Sequence, residues 1–220
     1  MLSDSEKDAL KKKFATLLVN DVDLVVFTQE HECQFCKETR ELVEGLVTLS
    51  PKLKIKVYDF VKNGDEDIKY KIKKIPAIAI IGSKDYGVRY YGVPAGYEFA
   101  AFVDDIIDVS RGTTSFSETL KKKIAEIKKP VHLQVFVSPT CPYCPKTARH
   151  AHQFAIENEF IRADVIEMTE FPYLVQRYSV MSVPHVVINE DTSFTGAQPV
   201  EVFIEQIHMA LRASYNPMYS

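Results

Sequence analysis

The chain has 220 residues, 46% of them hydrophobic and 26% charged, with a formal net charge of −3 at pH 7. This composition is typical of a globular protein with one large or two small domains, and it excludes an intrinsically disordered chain. The small negative charge also gives no reason to expect binding to nucleic acid or to an anionic membrane.

The N-terminal segment, MLSDSEKDALKKKFATLL, mixes acidic with basic residues and has no unbroken apolar stretch. It therefore does not resemble a secretory signal. No apolar run in the sequence approaches the ~20 residues that a membrane helix needs. We expect a cytoplasmic protein that does not bind a membrane, with the lysine triplets at 11–13 and 121–123 on solvated helix faces.

The first half alternates between strand-like and helix-like segments. The β-branched run VDLVVFT (22–28) predicts a strand, and a Cys-x-x-Cys pair follows it before a helical stretch. A second strand, LKIKVYDF, and a short polar helix lead to YKIKKIP, whose proline opens a third strand. The turn GSKDYG then forms a hairpin to a fourth strand, and YEFAAFVDDIIDVS closes the half as a helix.

The second half repeats this order of segments. Pro76 follows Cys33 by 43 positions, and Pro184 follows Cys141 by the same 43 positions. Both prolines end a Tyr-x-Ile/Val-x-x-Ile/Val-Pro segment, and β-branched residues follow both. We interpret the agreement as the duplication of one α/β module with right-handed crossovers.

The division between the modules falls in RGTTSFSE (111–118), which is rich in Gly, Ser and Thr and lies between two helical stretches. We therefore place the modules at 1–114 and 115–220. Because this link is short and contains no proline, we expect the two modules to pack closely together.

The cysteines occur only as the pairs Cys33–Cys36 and Cys141–Cys144. A thiol at a helix N-terminus is favoured as the thiolate, with pKa values of ~3.5–7.5, because the helix dipole and free N–H groups stabilise the anion. The second cysteine of each pair is expected one turn into the helix, within reach of the first. The first cysteine is then a nucleophile, and the second resolves the mixed disulfide that it forms.

The dipeptides Ile75-Pro76 and Val183-Pro184 stand at strand entrances, beside the expected positions of the thiols. Both are candidates for a cis peptide bond, which is uncommon and usually has a structural reason. Such a bond would turn the backbone of residues 75 and 183 toward the sulfurs. The N–H and C=O groups there could then pair with an extended substrate peptide.

Two other interpretations of the four cysteines compete with redox chemistry. A four-cysteine zinc site would use both pairs, but ~15–20 residues normally separate such pairs. Here 104 residues lie between Cys36 and Cys141. Inert buried cysteines would not be expected to repeat in register with a proline. The redox interpretation is favoured, and a zinc-binding, non-enzymatic scaffold is the lesser alternative.

The motif CPYC, together with SVPHVVI, resembles the active site of glutaredoxins and the cis-proline segment of the thioredoxin superfamily. Two such modules, with KDYGVRYYGVPAGYEF and FTGAQP, resemble the glutaredoxin-like protein disulfide oxidoreductases of hyperthermophilic archaea and bacteria. The resemblance implies two tandem thioredoxin-like folds, each a mixed central β-sheet flanked by helices. It also implies reduction, oxidation and isomerisation of protein disulfides through redox-active disulfides, with no other cofactor.

Partners and site residues follow from the same resemblance. Substrates would be proteins with thiols or disulfides, and electrons would come from a flavoprotein of the thioredoxin reductase type. The main alternative is an electron relay that reduces a peroxiredoxin. The family's catalytic cysteines match Cys141, Cys144, Cys33 and Cys36. The residues expected to contact substrate are Pro184, Val183, Pro76, Ile75, Tyr143 and Pro142, and Pro142 also suits the first position of a helix.

Proton handling is expected to differ from that of thioredoxins. They carry a buried acid six positions before the first cysteine, where this chain has Phe27 and Val135. His185, directly after the second proline, could tune Cys144 or touch substrate. A packed or surface strand residue is the more ordinary interpretation of this histidine.

Local charge predicts that the two sites are unequal. Glu30 and Glu32 flank His31 beside Cys33, and two acids should disfavour the thiolate there. No acid stands beside Cys141, so this cysteine should be the better nucleophile.

Overall fold

A computed structural model describes residues 3–213 as one eight-stranded sheet covered by helices on both faces. The strands are β1 (Val22–Thr28), β2 (Leu53–Asp59), β3 (Ala77–Ile81), β4 (Asp85–Tyr91), β5 (Val131–Val137), β6 (Ile161–Glu167), β7 (His185–Ile188) and β8 (Thr192–Thr195). The helices are α1 (Asp4–Leu17), α2 (Cys36–Val47), α3 (Gly64–Tyr70), α4 (Tyr97–Arg111), α5 (Glu118–Ala125), α6 (Cys144–Glu157), α7 (Pro172–Arg177) and α8 (Val200–Ala213).

The α/β architecture and the repeat predicted from the sequence are confirmed. Each half runs strand, helix, strand, helix, strand, strand, helix, and each is preceded by a helix that carries one of the lysine triplets. Serine side chains begin both of these leading helices. Ser3 forms a reciprocal capping pair with Glu6, and the Ser117 hydroxyl accepts a hydrogen bond from the N–H of Leu120.

The two halves share one continuous sheet, in the order β2-β1-β3-β4-β6-β5-β7-β8. β4 of the first half pairs with β6 of the second in parallel. The strand order within the first half, 2-1-3-4, recurs as 6-5-7-8, so the halves are related by a translation along the sheet rather than by a two-fold axis. The two modules pack closely, as expected from the short link, and backbone hydrogen bonds between β4 and β6 join them.

Strand directions place both cysteine pairs at the same edge of the sheet. β3 is antiparallel to β1 and β4 is antiparallel to β3, so β4 runs with β1. β6 is parallel to β4, and β5 is parallel to β6. β1 and β5 therefore end at one edge, where α2 and α6 begin. We call it the thiol edge.

Two hydrophobic clusters lie on opposite faces of the sheet. The larger buries α2, α4, α6 and α8 against one face, with the inward side chains of all four helices in contact with strand residues such as Val26, Val88 and Val135. The smaller cluster packs the segments around α3 and α7 against the other face. Alternate strand residues thus point into different clusters, as the period of two in a strand requires.

A buried ionic network joins the halves between α4 and α6. The guanidinium of Arg149 donates to Asp105 at 2.9 Å and to Asp108 at 2.7 Å. His152 is hydrogen-bonded to Asp105 at 2.7 Å and to the carbonyl of Arg89 at 2.9 Å. Asp105 and His152 are almost completely buried. Removing one partner from such a network is costly, because a charge is left buried without compensation.

Over residues 3–213, each helix is too short or too polar to cross a membrane.

Candidate active site

Both cysteine pairs are disulfides at the start of a helix. Cys33 is bonded to Cys36 and Cys141 to Cys144, with Cα atoms 5.5 Å apart in each pair. The first cysteine of each pair is half-buried, whereas Cys36 and Cys144 are 1% and 0% exposed. In both pairs, only the first sulfur is therefore accessible to a substrate. This division agrees with the expected nucleophile and resolving partner.

The helix starts differ from the expectation in one respect. Cys36 and Cys144 are the first residues of α2 and α6, not residues one turn inside them. The first cysteine lies in the lead-in turn, which the Cys144 N–H closes by donating to the carbonyl of Cys141 at 3.4 Å. Pro142 consequently lies before the helix, and the proline in the first helical turn is Pro145. Pro145 suits that place because the first N–H groups of a helix have no intrahelical acceptor.

The two strand-entrance prolines are preceded by cis peptide bonds, as predicted. β3 and β7 pair antiparallel with β1 and β5, which places each proline beside the segment that leads to the cysteines. Cys141 Sγ lies 3.7 Å from the carbonyl oxygen of Val183. The structure thus brings the second cysteine pair, Val183 and Pro184 together.

The surroundings of Cys141 are partly apolar and exposed. The Tyr143 side chain is 68% exposed and Met181, in the loop before Val183, is 91% exposed. His185 is buried, is hydrogen-bonded to Thr195 at 2.9 Å, and has its pKa lowered by burial. These contacts support the interpretation of His185 as a packed strand residue.

The first cysteine pair has more polar surroundings. Glu30, His31 and Glu32 are all exposed in the loop before Cys33. Ile75 is half-buried beside its cis-proline. The two sites share a backbone plan and differ in the groups around the sulfurs.

The positions of the thioredoxin acid are apolar and fully buried in both halves, since Phe27 and Val135 are each 0% exposed. A different carboxyl group is buried at the second site. Glu98, in the first turn of α4, is 0% exposed, and neither of its oxygens has a hydrogen-bond partner within residues 3–213. A buried polar group without a partner in a native structure calls for an explanation.

The position of Glu98 follows from how α4 packs beside α6. Both helices begin at the thiol edge and run in the same direction, because Asp105 contacts Arg149 and the Tyr97 N–H donates to the carbonyl of Pro139 at 3.0 Å. Glu98 lies seven residues before Asp105, on the same face of α4. Seven residues before Arg149 and His152 are position 142, in the lead-in turn, and position 145, in α6. Glu98 therefore lies level with the turn that contains Cys144.

The backbone before α4 supports this close approach. Gly96 has φ +58°, and a Cβ added to it would lie 2.2 Å from the carbonyl oxygen of Pro139. A residue with a side chain would therefore push the start of α4 away from the loop that carries Cys141. The first half thus supplies part of the wall of the second site.

Glu98 is not alone among the buried polar groups without a partner in the described chain, and Tyr90 lies near it. In the described chain, Tyr90 Oη, Thr147 Oγ1 and one oxygen of Glu167 also have no hydrogen-bond partner. Burial raises the pKa of Tyr90, and the nearby carboxyl groups, Glu98 first among them, raise it further. Burial, together with the charge of Asp105, raises the pKa of Glu98 to about 8. This carboxyl can therefore gain and lose a proton near neutral pH.

Sequence reasoning did not find Glu98. In YEFAAFVDDIIDVS it looks like an acid that favours a helix N-terminus, the usual role of a carboxylate in a first turn. Its burial results from contact between the halves, and no pattern within one module indicates that contact.

The described residues contain no group of three or more His, Cys, Asp or Glu side chains that could hold a metal ion. The strands that lead to the two cysteine pairs, β1 and β5, are four strand positions apart in the sheet, which is about 19 Å. One tetrahedral zinc ion needs all four sulfurs at ~2.3 Å, so a zinc site that uses both pairs does not fit this fold.

Comparisons with known proteins agree with this geometry. A thioredoxin domain model matches residues 131–208. The crystal structure of a protein disulfide oxidoreductase from Aeropyrum pernix K1 is similar, with a TM-score of 0.89 and 30% sequence identity over 97% of this chain and 95% of that chain. The chain belongs to the protein disulfide oxidoreductase family. Its members' two tandem thioredoxin-like folds, expected from the sequence, account for the repeat and the paired cysteine sites.

This chain is also similar to a second group of proteins. The structure of the alkylhydroperoxide reductase AhpF from Enterococcus faecalis shares the fold, with a TM-score of 0.87 and 23% identity over 94% of this chain and 99% of that chain. The corresponding AhpF protein of Staphylococcus aureus is 23% identical over 97% of this chain and 39% of its own length. The chain spans about two fifths of the length of the curated relatives it matches.

Proposed function

We propose that the protein reduces, oxidises and isomerises disulfides in other proteins through both cysteine pairs, with Cys141 as the main nucleophile. The observation that carries the proposal is the arrangement at Cys141. A half-exposed sulfur precedes a helix, is bonded to the fully buried Cys144, and lies 3.7 Å from the carbonyl of Val183 beside a cis-proline. This arrangement suits attack from one side and resolution from the other.

In the reducing direction, the Cys141 thiolate attacks one sulfur of a substrate disulfide. A bond forms between Cys141 and that sulfur, and the other substrate sulfur leaves as a thiolate. Cys144 then loses its proton and attacks Cys141, which closes the Cys141–Cys144 disulfide and releases the second substrate thiolate. Two electrons pass from the cysteine pair to the substrate, and oxidation of a dithiol is the reverse sequence.

Glu98 is the proposed proton acceptor and donor for Cys144. Cys144 is completely buried, so its proton cannot pass directly to bulk water. Glu98 lies level with its turn, and the pKa of about 8 allows the carboxylate to take the proton and the acid to return it. A buried acid supplied from the other half would thus replace the thioredoxin acid that is absent at Val135.

The backbone beside Val183 and Pro184, with exposed Tyr143, is proposed to hold an extended segment of substrate. Peptide N–H and C=O groups of the substrate could pair with the backbone there, as in the addition of a strand. The exposed apolar side chains favour unfolded polypeptide over a small polar thiol. Ile75 and Pro76 would act in the same way beside Cys33. We retain 1–114 and 115–220 as the proposed modules.

The test is catalysis with defined protein substrates. Reduction of insulin disulfides in the presence of dithiothreitol measures reductase activity, and refolding of scrambled ribonuclease measures isomerase activity. We expect both activities in the unmodified chain, and a lower isomerase yield when either cysteine pair is replaced by serine. A chain that accelerates neither reaction would contradict the proposal.

A second candidate is an electron relay from a flavoprotein of the thioredoxin reductase type to a peroxiredoxin. It is favoured by the similarity to the AhpF protein of alkyl hydroperoxide reductase over 97% of the chain. A coupled assay with NADPH, such a flavoprotein, a peroxiredoxin and hydrogen peroxide distinguishes the two. Fast peroxide turnover with negligible insulin reduction would favour the relay.

A further inference from the structure

The two cysteine sites lie at the same edge of the sheet. β1 and β5 end at the thiol edge, and α2 and α6 begin there on the same face of the sheet. Cys33 and Cys141, the accessible sulfur of each pair, are both half-exposed at this edge. A molecule that lies along the thiol edge can therefore meet both sulfurs.

The distance between the sites can be estimated from the sheet. Four strand spacings amount to about 19 Å across the sheet. Neighbouring strands are also rotated by about 20–25°, so over four steps the second site is turned by about 80–100° relative to the first. With each sulfur ~16 Å from the middle of the sheet, the separation through space is roughly 30 Å. An extended chain needs about nine residues to cover it.

The relation between the halves decides the polarity of such a chain. The strand order 2-1-3-4 recurs as 6-5-7-8, with β1 and β5 parallel. The halves are thus related by a shift along the row of strands combined with the rotation of the twist, and this operation keeps the sense of any direction along the row. A peptide that pairs with the backbone beside Ile75 and continues to Val183 meets both segments with the same polarity. A two-fold relation would have required it to reverse direction between the sites.

Exposed apolar side chains occur along the thiol edge beside both sites. Val61, just after β2, is 77% exposed, and Tyr97, at the start of α4 between the two sites, is 57% exposed. Met181 and Tyr143 extend the series to the second site. Their exposure suits contact with the apolar side chains of an unfolded polypeptide.

We propose that both sites act on one substrate chain at the same time. One extended polypeptide segment, with two cysteines at least about nine residues apart, is held by mixed disulfides at Cys33 and Cys141 together, always in the same direction. The inference rests on the proposed function, because each bond is an ordinary thiol–disulfide exchange. It adds that the substrate class is a single chain with spaced cysteines.

The test uses the full chain with Cys36→Ser and Cys144→Ser, which leaves one thiol at each site. Synthetic peptides carry two cysteines, each bonded to thionitrobenzoate, with about 14 or about 3 residues between them. Each capture breaks a peptide–thionitrobenzoate disulfide, forms a protein–peptide disulfide, and releases one coloured thionitrobenzoate anion. No other oxidant or reductant takes part. Intact mass and peptide mapping identify the products.

With the long peptide at about 10 μM, we expect one peptide per protein and two anions released. Because linked groups reach millimolar effective concentrations, this bridged form should exceed the form with two peptides about 100-fold. The short peptide should give two peptides per protein, each retaining one thionitrobenzoate. In the bridged form, mapping should find the N-terminal cysteine of the peptide at the same site in most molecules.

Two peptides per protein with the long spacing would overturn the inference, and an equal mixture of directions would overturn its polarity. A peptide with a single cysteine distinguishes a failure of bridging from a failure of the proposed function. If it is captured at both sites while the long peptide does not bridge, thiol exchange stands and bridging fails. If it is not captured at all, the proposed function itself fails, and the inference fails with it.

Discussion

The two cysteine sites have the same backbone plan and different chemical surroundings. Each has a half-exposed sulfur, a buried partner and a cis-proline, because each arises from the same order of strands and helices. At the second site, the buried carboxyl group of Glu98, which belongs to the first half, lies level with the turn that contains the resolving cysteine. The duplicated backbone makes two similar sites, and contact between the halves makes them unequal.

The largest expected effect comes from replacing the nucleophilic cysteine of each site. We expect Cys141→Ser to lower the rate of insulin reduction at least ~100-fold, because the thiolate that attacks substrate is lost. Cys33→Ser should lower it less than ~2-fold, since acids beside Cys33 disfavour its thiolate. Initial rates of insulin precipitation measure the activity of both variants. Equal losses would show that the ranking of the sites by local charge is wrong.

The next effect concerns the proton of Cys144. In a Cys33→Ser background, we expect Glu98→Gln to slow turnover about 10-fold, since the neutral amide cannot exchange the proton. The inflection near pH 8 in the rate profile of the parent should also disappear, whereas a merely structural role would leave the profile unchanged. Glu201→Gln is the matched control, because Glu201 is also the second residue of its helix but is exposed. Equal effects of the two changes would contradict the assignment.

The same residue should make stability depend on pH. The pKa of Glu98 is raised in the folded protein to about 8, so folding disfavours its ionised form. The destabilisation is absent below the pKa of the unfolded chain, grows as pH rises, and levels off above about 8. Relative to wild type, Glu98→Gln should gain several kcal/mol, about 3–5, between about pH 4 and pH 9. Urea unfolding at several pH values measures this gain, and a constant difference would contradict it.

The smallest effect concerns His185, whose counterpart in the first half is Ala77. His185 is buried and bonded to Thr195, so we expect His185→Ala to cost about 1 kcal/mol of stability through the lost hydrogen bond. Turnover at the second site should change less than ~2-fold. Stopped-flow reduction in the Cys33→Ser background checks this. A tenfold loss would assign His185 a direct role.

The sequence predicted most of the fold because the signals were local and occurred twice. The strand at 22–28 was predicted with its observed ends, and the cis bonds before Pro76 and Pro184 followed from a proline in register with the cysteines. The helix starts were placed one turn too early, because a cysteine motif does not state where the first intrahelical hydrogen bond forms.

The parts that were missed depend on contacts between the halves. The pairing of β4 with β6 leaves no recognisable pattern in either module, since the residues of DYGVRYY and IRADVIE do not indicate a partner strand. Glu98 looked like an ordinary first-turn acid until the packing of α4 on α6 buried it. Such features follow from how two modules meet, and a repeat describes only what they have in common.

The pairing of β4 with β6 makes each half the cover for the other half's open strand edge. If the second half were produced alone, β6 would present unpaired N–H and C=O groups along one edge, which invites pairing with another chain. Arg149 would also lose the carboxylates that neutralise it, and His152 would lose its hydrogen-bond partner Asp105. The two halves therefore depend on each other for solubility, and neither could be lost after the duplication without exposing the survivor to aggregation.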